Sequence, residues 1–275
     1  MGILKELTKE YFGEKVRKED EINIEGLDVE IVTFTDNNGK YHRRGYKPKD
    51  RGNLKDLLKR MIEVRGDEGD FNDIDTSEIE SMEILFYYNN TFNGDISGWD
   101  VSRVKNMSEM FEGAKSFNQD IRKWEFPEVI HMFKMFEGAT SFNQDISNWK
   151  FPEVTDMDSM FKDATSFNQD ISNWEFPNVK YMGSMFEGAT SFNQDISKWK
   201  FPKVENMSFM FFNAKSFNQP IGDWKFPNVE DMDSMFKDAT SFNQDLSSWD
   251  LTNVNEKENI FENCPIKDEY KPKME

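Results

Sequence analysis

A chain of 275 residues suits one large domain or two average ones, and its single cysteine, Cys264, excludes an internal disulfide framework. Lys and Arg number 34 against 52 Asp and Glu, a net charge of −18. So acidic a surface repels phosphate backbones and anionic membranes, which excludes nucleic acid as a partner and points to cations or basic protein patches. The imbalance is local: residues 1–70 carry a charge of −1 and the remainder −17. The opening MGILKELTKEYFGEKVRKED lacks the apolar run of a signal peptide, and Glu6 stands where a myristoylation motif needs Ser or Thr. No stretch is apolar enough to span a bilayer, so the chain reads as soluble, unanchored and cytoplasmic.

Residues 1–52 read as a small α+β region. Leu4 to Val16 has the pattern of a charged helix, and Leu27-Asp28-Val29-Glu30-Ile31 alternates like a strand. Asp36-Asn37-Asn38-Gly39 is a hairpin turn signal that leads to a second strand around Tyr41. Residues 53–70 form a capping helix and linker. Leu54, Leu57, Leu58, Met61 and Ile62 share one face of the helix Asn53 to Val64, which is expected to cover the open N-terminal edge of a repeat array beginning at residue 71.

From residue 71 to 264 the chain repeats. Phe-Asn recurs every 25 residues from Phe92 to Phe242, and all seven tryptophans, Trp99 to Trp249, fall at one repeat position. One unit reads SFNQDISNWKFPEVTDMDSMFKDAT, Ser141 to Thr165. A unit this small cannot bury its own apolar groups, so identical units must stack into continuous ladders. Met157, Met160, Phe161 and Ala164 follow i, i+3, i+4, i+7, the face of a two-turn helix with Asp156 as N-cap. Gly113, Gly138, Asp163, Gly188, Asn213 and Asp238 are residue types that tolerate a left-handed helix end. Phe-Asn-Gln-Asp-Ile-Ser reads as a short strand pairing in parallel with its neighbours. A Phe-Pro turn follows, such as Phe151-Pro152, and Val154 returns to the core. The expected fold is an α/β solenoid: a leucine-rich-repeat-like, right-handed coil of about eight 25-residue strand–helix turns. Residues 71–91 and 254–264 are degenerate terminal turns, and residues 265–275 are a C-terminal tail.

The unit MxxMFxxAxxFNQDISxW, as in Met157 to Trp174, resembles the Mycoplasma-lipoprotein-type repeat of the BspA-like leucine-rich-repeat surface proteins. The resemblance covers about residues 71–264 and implies a bacterial, often host-associated interaction protein at the cell surface or secreted. It implies no catalytic residue.

The candidate ligand-binding residues are Gln144, Asp145, Gln169, Asp170, Gln194 and Asp195, members of two rows at the repeat spacing. Stacked carboxylates about 5 Å apart repel one another and suit a hard cation such as Ca²⁺ or a basic ligand. The alternative, favoured because such caps are commonplace and because Pro220 interrupts the row, is that each Asp accepts backbone N–H groups at its own turn. The Asn row, with Asn143, Asn168 and Asn193, most simply forms amide ladders, and for the Gln row structural use and ligand binding are both open. The Met and Trp rows read as core. His42 and His131 are too isolated for zinc or general-base work, and Cys264 replaces the core Ala of the last turn as a buried, inert thiol. No metal site, cofactor motif or nucleophile–base pair stands out. The chain therefore reads as a monomeric, non-catalytic module that binds a protein or glycan with a basic surface, with adhesion as one role. The other reading is a spacer that presents residues 1–52. Lys150, Glu175, Lys200, Lys225 and Asp250 vary along the flank while the Phe-Asn-Gln-Asp segment is nearly constant, which favours contacts along the flank or an intracellular partner over one concave pocket.

Overall fold

The structure is a computed structural model that describes residues 22–35 and 42–274. The helix expected over residues 4–16 and the Asp36–Gly39 turn lie outside the described residues. Strands β1 (Val29–Thr35) and β2 (His42–Pro48) pair antiparallel, with Ile31 opposite Tyr46. Helix α1 spans Arg51–Arg65, two residues earlier than the hydrophobic pattern starts, because Asp50 caps it and accepts the Asn53 N–H at 2.8 Å. Leu54, Leu57, Leu58 and Met61 on its inner face are buried in the same core as the repeats. At its end Gly66 takes φ +78° and donates its N–H to the Ile62 carbonyl at 2.8 Å.

Two devices fasten this region to the first turn. Buried Tyr46 of β2 bridges Ile74 in parallel, its N–H reaching Asp73 O and its carbonyl accepting from Asp75 N, both at 2.8 Å. Arg65 donates from both terminal nitrogens to the two oxygens of Asp73 at 2.7 Å, and Asp73 is only 3% exposed. Such a fork-to-fork pair fixes direction as well as distance.

The 25-residue units lie one on the next, with nearly every cross-link 24 to 28 residues long. Seven parallel bridges join Ser81, Asn106, His131, Asp156, Tyr181, Asn206, Asp231 and Glu256 in order. Two expectations are corrected here. The segment read as a helix, Met157 to Ala164, is a run of turns, and it carries the backbone ladder. In the preceding unit the N–H groups of Met132, Lys134, Phe136 and Gly138 reach Asp156, Asp158, Met160 and Lys162 in the next turn, at 2.7–2.9 Å. The intervening Met135, Glu137 and Ala139 donate three residues back, to Met132, Lys134 and Phe136. Positive φ at Lys134 (+54°) and Gly138 (+67°) turns alternate N–H groups outward and breaks any i→i−4 helix. An isolated two-turn helix is marginal, whereas a neighbour one period away supplies a partner for each outward N–H. Consecutive turns satisfy the i, i+3, i+4 pattern, and Asp156 caps a turn, accepting Asp158 N at 3.0 Å.

The second correction concerns Phe-Asn-Gln-Asp-Ile-Ser. Apart from the Asp70–Asp95 bridge at the first turn, this segment pairs through side chains. Each Asn Oδ1 accepts the backbone N–H of the Asn one turn on, as in Asn143 N to Asn118 and Asn168 N to Asn143, both 2.9 Å. The Asn ladder is thus side chain to backbone instead of amide to amide.

Inside, apolar rows stack in register. Phe86, Phe111, Phe136, Phe161, Phe186, Phe211, Phe236 and Phe261 lie 5.4–5.9 Å apart, nearly parallel. Trp149 and Trp174 stack at 6.4 Å, with Phe151 edge-on to Trp174 at 4.7 Å. All the buried indoles but Trp124 reach back a full turn: Trp174 Nε1 donates to Ile146 O at 3.1 Å, and Trp199 Nε1 to Ile171 O at 3.0 Å. At the far end residues 265–274 are more than a tail. Ile266 is buried, Lys267 N bonds Asn243 Oδ1 at 3.1 Å and Leu246 N bonds Tyr270 O at 2.8 Å, so this segment closes the last turn. Cys264 is half-buried instead of fully buried, and burial pushes its thiol pKa up.

Trp174→Ala should cost about 3–5 kcal/mol, combining a cavity with an unpaired Ile146 carbonyl, while Trp174→Phe should lose about half of that. Urea denaturation of the two variants checks both figures. Asp73→Ala should cost about 3–5 kcal/mol by stranding the Arg65 guanidinium, and the Asp73→Ala/Arg65→Met double variant should recover part of it. Melting curves of the single and double variants measure that recovery.

Candidate binding faces

The residues singled out from the sequence do form rows, and the structure employs their polar atoms within the coil. Gln144 Nε2 donates to Asn118 O at 2.8 Å and Oδ1 at 3.1 Å. Gln169 and Gln194 reach Asn143 and Asn168 the same way at 2.9 Å. Asp145, Asp170 and Asp195 are exposed, yet each accepts the N–H two residues on, from Ser147 (3.0 Å), Ser172 (2.9 Å) and Ser197 (2.9 Å). The Ser147 hydroxyl and then its N–H hold the Asp145 carboxyl below the usual range, and the Ser197 N–H and then its hydroxyl do the same for Asp195. These bonds to the charged form outweigh repulsion between stacked neighbours. Among the described residues no group of three or more His, Cys, Asp or Glu is arranged to hold a metal ion.

The opposite situation holds on the ladder face. Here the backbone makes most of the cross-turn bonds, so the side chains that reach the surface can differ from turn to turn. One row reads Phe133, Asp158, Gly183, Ser208, Asp233. The next reads Glu109, Lys134, Ser159, Ser184, Phe209, Ser234, every member at positive φ. The third reads Tyr87, Glu112, Glu137, Lys162, Glu187, Phe212, Lys237, Glu262. Aromatics gather at two places, exposed Tyr87 with Tyr88 and exposed Phe209 with half-buried Phe212, each pair edge to face at 4.6 and 6.0 Å. Nothing in composition separates these rows, and only the fold shows that they share a face.

Electrostatic tension concentrates at Asp158. Burial, then the charges of Asp156 and Asp231, raise its carboxyl pKa to about 6, against the pull of the Gly183 N–H. That N–H donates to Asp158 Oδ1 at 2.5 Å, and the approach needs glycine: a Cβ on residue 183 would stand 2.7 Å from Asn206 Oδ1 and 3.3 Å from Asp158 Oδ1. Burial also pushes the Asp156 carboxyl pKa up, opposed by the Asp158 N–H and by His131 on the same bridge row. On the flank, a polar recess with a volume of about 710 Å³ is lined by Lys180, Lys203, Glu205 and Asn228. It is wide open, and its cations already pair, Lys180 with Glu205 at 2.8 Å and Lys203 with Asn178 at 2.5 Å. The varied flank residues Lys150, Glu175, Lys200, Lys225 and Asp250 are all exposed.

The family model described as "Mycoplasma protein of unknown function, DUF285" matches residues 53–174, 122–210 and 165–271. The chain belongs to this family. The matched stretch starts within α1 and runs through the turns into the closing segment, so the helix and the array are one family unit. No curated protein and no solved structure is similar enough to count as a match. No helix among the described residues is long and apolar enough to cross a membrane.

A carboxyl whose folded-state pKa exceeds its unfolded value holds its proton more tightly in the folded chain. Its contribution to stability is therefore full below the unfolded value and lost as pH rises through about 6. Asp158→Asn keeps an acceptor for the Gly183 N–H and removes the charge. The variant should be more stable than the parent at pH 7.5, by about 1 kcal/mol after allowance for partial solvent screening, and the gap should narrow as pH falls and close only at about pH 3.5, below the unfolded value of 3.8. Thermal melts at the two pH values decide it.

Proposed function

We propose that the chain is a non-catalytic binding module: a right-handed, leucine-rich-repeat-like solenoid whose ladder face recognises a protein with a basic surface, in the manner of BspA-like surface proteins and with adhesion as its role. The observation that carries this reading is the contrast between faces. On the Phe-Asn-Gln-Asp side the same residues recur because their polar atoms are held by the neighbouring turn. On the ladder face the backbone makes most of the cross-turn bonds, and aromatic, acidic, basic and small residues alternate, with a close approach requiring glycine at residue 183. A surface varied from turn to turn can match one partner and reject others. The net charge of −18 supports a basic counterpart. The spacer reading gains no comparable support, since β2 and α1 are built into the first turn and are not held away from it.

The test uses peptides selected from a random library against the full chain. Selected peptides should be rich in Arg and Lys. Their binding should fall at least about tenfold with Phe209→Ser/Phe212→Ser and stay within about twofold with Asp145→Asn/Asp170→Asn/Asp195→Asn. The reverse ordering would move the binding surface to the Phe-Asn-Gln-Asp side and overturn the reading.

A further inference from the structure

The row Tyr87, Glu112, Glu137, Lys162, Glu187, Phe212, Lys237, Glu262 is charge-matched from Lys162 onward. Lys162 pairs with Glu187 at 3.0 Å and Lys237 with Glu262 at 2.7 Å, each across one turn. At its start the row is not matched. Glu112 is 5% exposed, and its Oε2 has no hydrogen-bond partner among the described residues. The next member is another carboxylate, Glu137, and Glu109 adds a third from the adjacent row. The Lys134 ammonium acts on all three, and its Nζ sits 3.1 Å from Glu137 Oε2. Burial, reinforced by Glu137 and Glu109 and opposed by Lys134 and by a hydrogen bond from Tyr88, pushes the Glu112 carboxyl pKa up.

Beside this carboxylate stand the most exposed aromatic rings of the face. Tyr87 and Tyr88 are 47% and 57% exposed and meet edge to face at 4.6 Å. The backbone fixes them there, since Tyr88 N donates to Glu112 O at 2.7 Å. Gly113 completes the notch: its φ is +68°, and the Tyr88 ring lies over it, 2.8 Å from where a Cβ would stand. A desolvated carboxylate oxygen left unpaired is costly, and a glutamine of the same shape would avoid that cost. Tyr88 hydrogen-bonds the Glu112 carboxyl, and about half of each tyrosine side chain stays open to solvent.

We propose that Tyr87, Tyr88, Glu109 and Glu112 form a receptor for one arginine side chain of a basic protein partner. The proposal rests on the reading that the ladder face binds such a partner, and it names the contact. A guanidinium is planar, weakly hydrated and rich in donors, so it can stack on a tyrosine ring while bonding to a carboxylate. An ammonium offers one compact charge and stacks less well. Lys134 remains on Glu137, and the incoming cation neutralises Glu112 and Glu109.

The experiment titrates the full chain with acetyl-Gly-Arg-Gly-amide, followed by the NMR ring signals of Tyr87 and Tyr88. Saturable shifts are expected with the arginine peptide, weaker binding with its lysine counterpart and none with the neutral citrulline isostere. Glu112→Gln and Tyr88→Ala should each weaken binding at least about tenfold. Glu112→Gln should also raise the melting temperature of the free chain at pH 7, which a merely structural glutamate would not do. Equal binding of the citrulline peptide, or unchanged affinity in Glu112→Gln, would overturn the proposal. Should Glu112→Gln fail to fold, Tyr87→Ala and Glu109→Gln, at exposed and half-exposed positions, give the same readout. Library peptides that lose binding with Phe209→Ser/Phe212→Ser but not with Glu112→Gln would overturn the arginine receptor alone and leave the wider reading standing.

Discussion

The structure depends on one constraint: almost every buried group finds its partner about one period away. Backbone N–H groups on the ladder face reach carbonyls 24 residues on, Asn side chains accept from 25 residues on, and indoles donate 28 residues back. No unit satisfies all of its own polar atoms or buries its own apolar ones. Stability therefore resides in the contact between turns, and a defect in one turn is felt by both neighbours. The same constraint explains why the period admits no insertion across the six central copies. One extra residue would break register in every ladder at once.

The constraint also accounts for the ends. A stack of open turns exposes a row of unpaired backbone groups at each terminus, which invites association edge to edge. At the N-terminal side β2 lends Tyr46 to the first turn, α1 lays four apolar side chains on the core, and the Arg65–Asp73 fork locks the two together. At the C-terminal side Ile266 and the short 3-10 helix Asp268–Tyr270 cover the last turn. The two caps differ in construction because they meet different faces of the stack.

Function follows from which atoms the stacking leaves over. Where side chains make the cross-turn bonds, their identity is fixed, and the Phe-Asn-Gln-Asp side repeats with little variation. Where the backbone makes them, identity is free, at the cost of a left-handed residue in every turn. That conformation disfavours ordinary side chains by about 1–2 kcal/mol, and here it recurs at Glu109, Lys134, Ser159, Ser184, Phe209 and Ser234. Replacing Ser184 by glycine would relieve that strain and erase nothing that the stack itself needs.

By itself the sequence determined the period, the identity of the core rows, the capping role of α1 and the sites of left-handed backbone at Gly113, Gly138, Asp163, Gly188, Asn213 and Asp238. These are written in side-chain chemistry: apolar residues at a strict spacing, a helical apolar stripe, and residue types that tolerate positive φ. Tertiary structure decided the rest. Whether Met157 to Ala164 winds into a helix or opens into turns depends on whether each N–H finds its acceptor four residues back or one turn away, and both arrangements bury the same Met and Phe side chains. The candidate residues Gln144 and Asp145 were legible as a row, but their involvement in cross-turn and turn bonds was not, because the partners lie a full unit away or in backbone conformation. Nothing in the sequence separates Glu112 from the other glutamates of the repeats. Its burial beside Tyr87 and Tyr88 exists only because stacking sets residues 25 apart in sequence side by side in space.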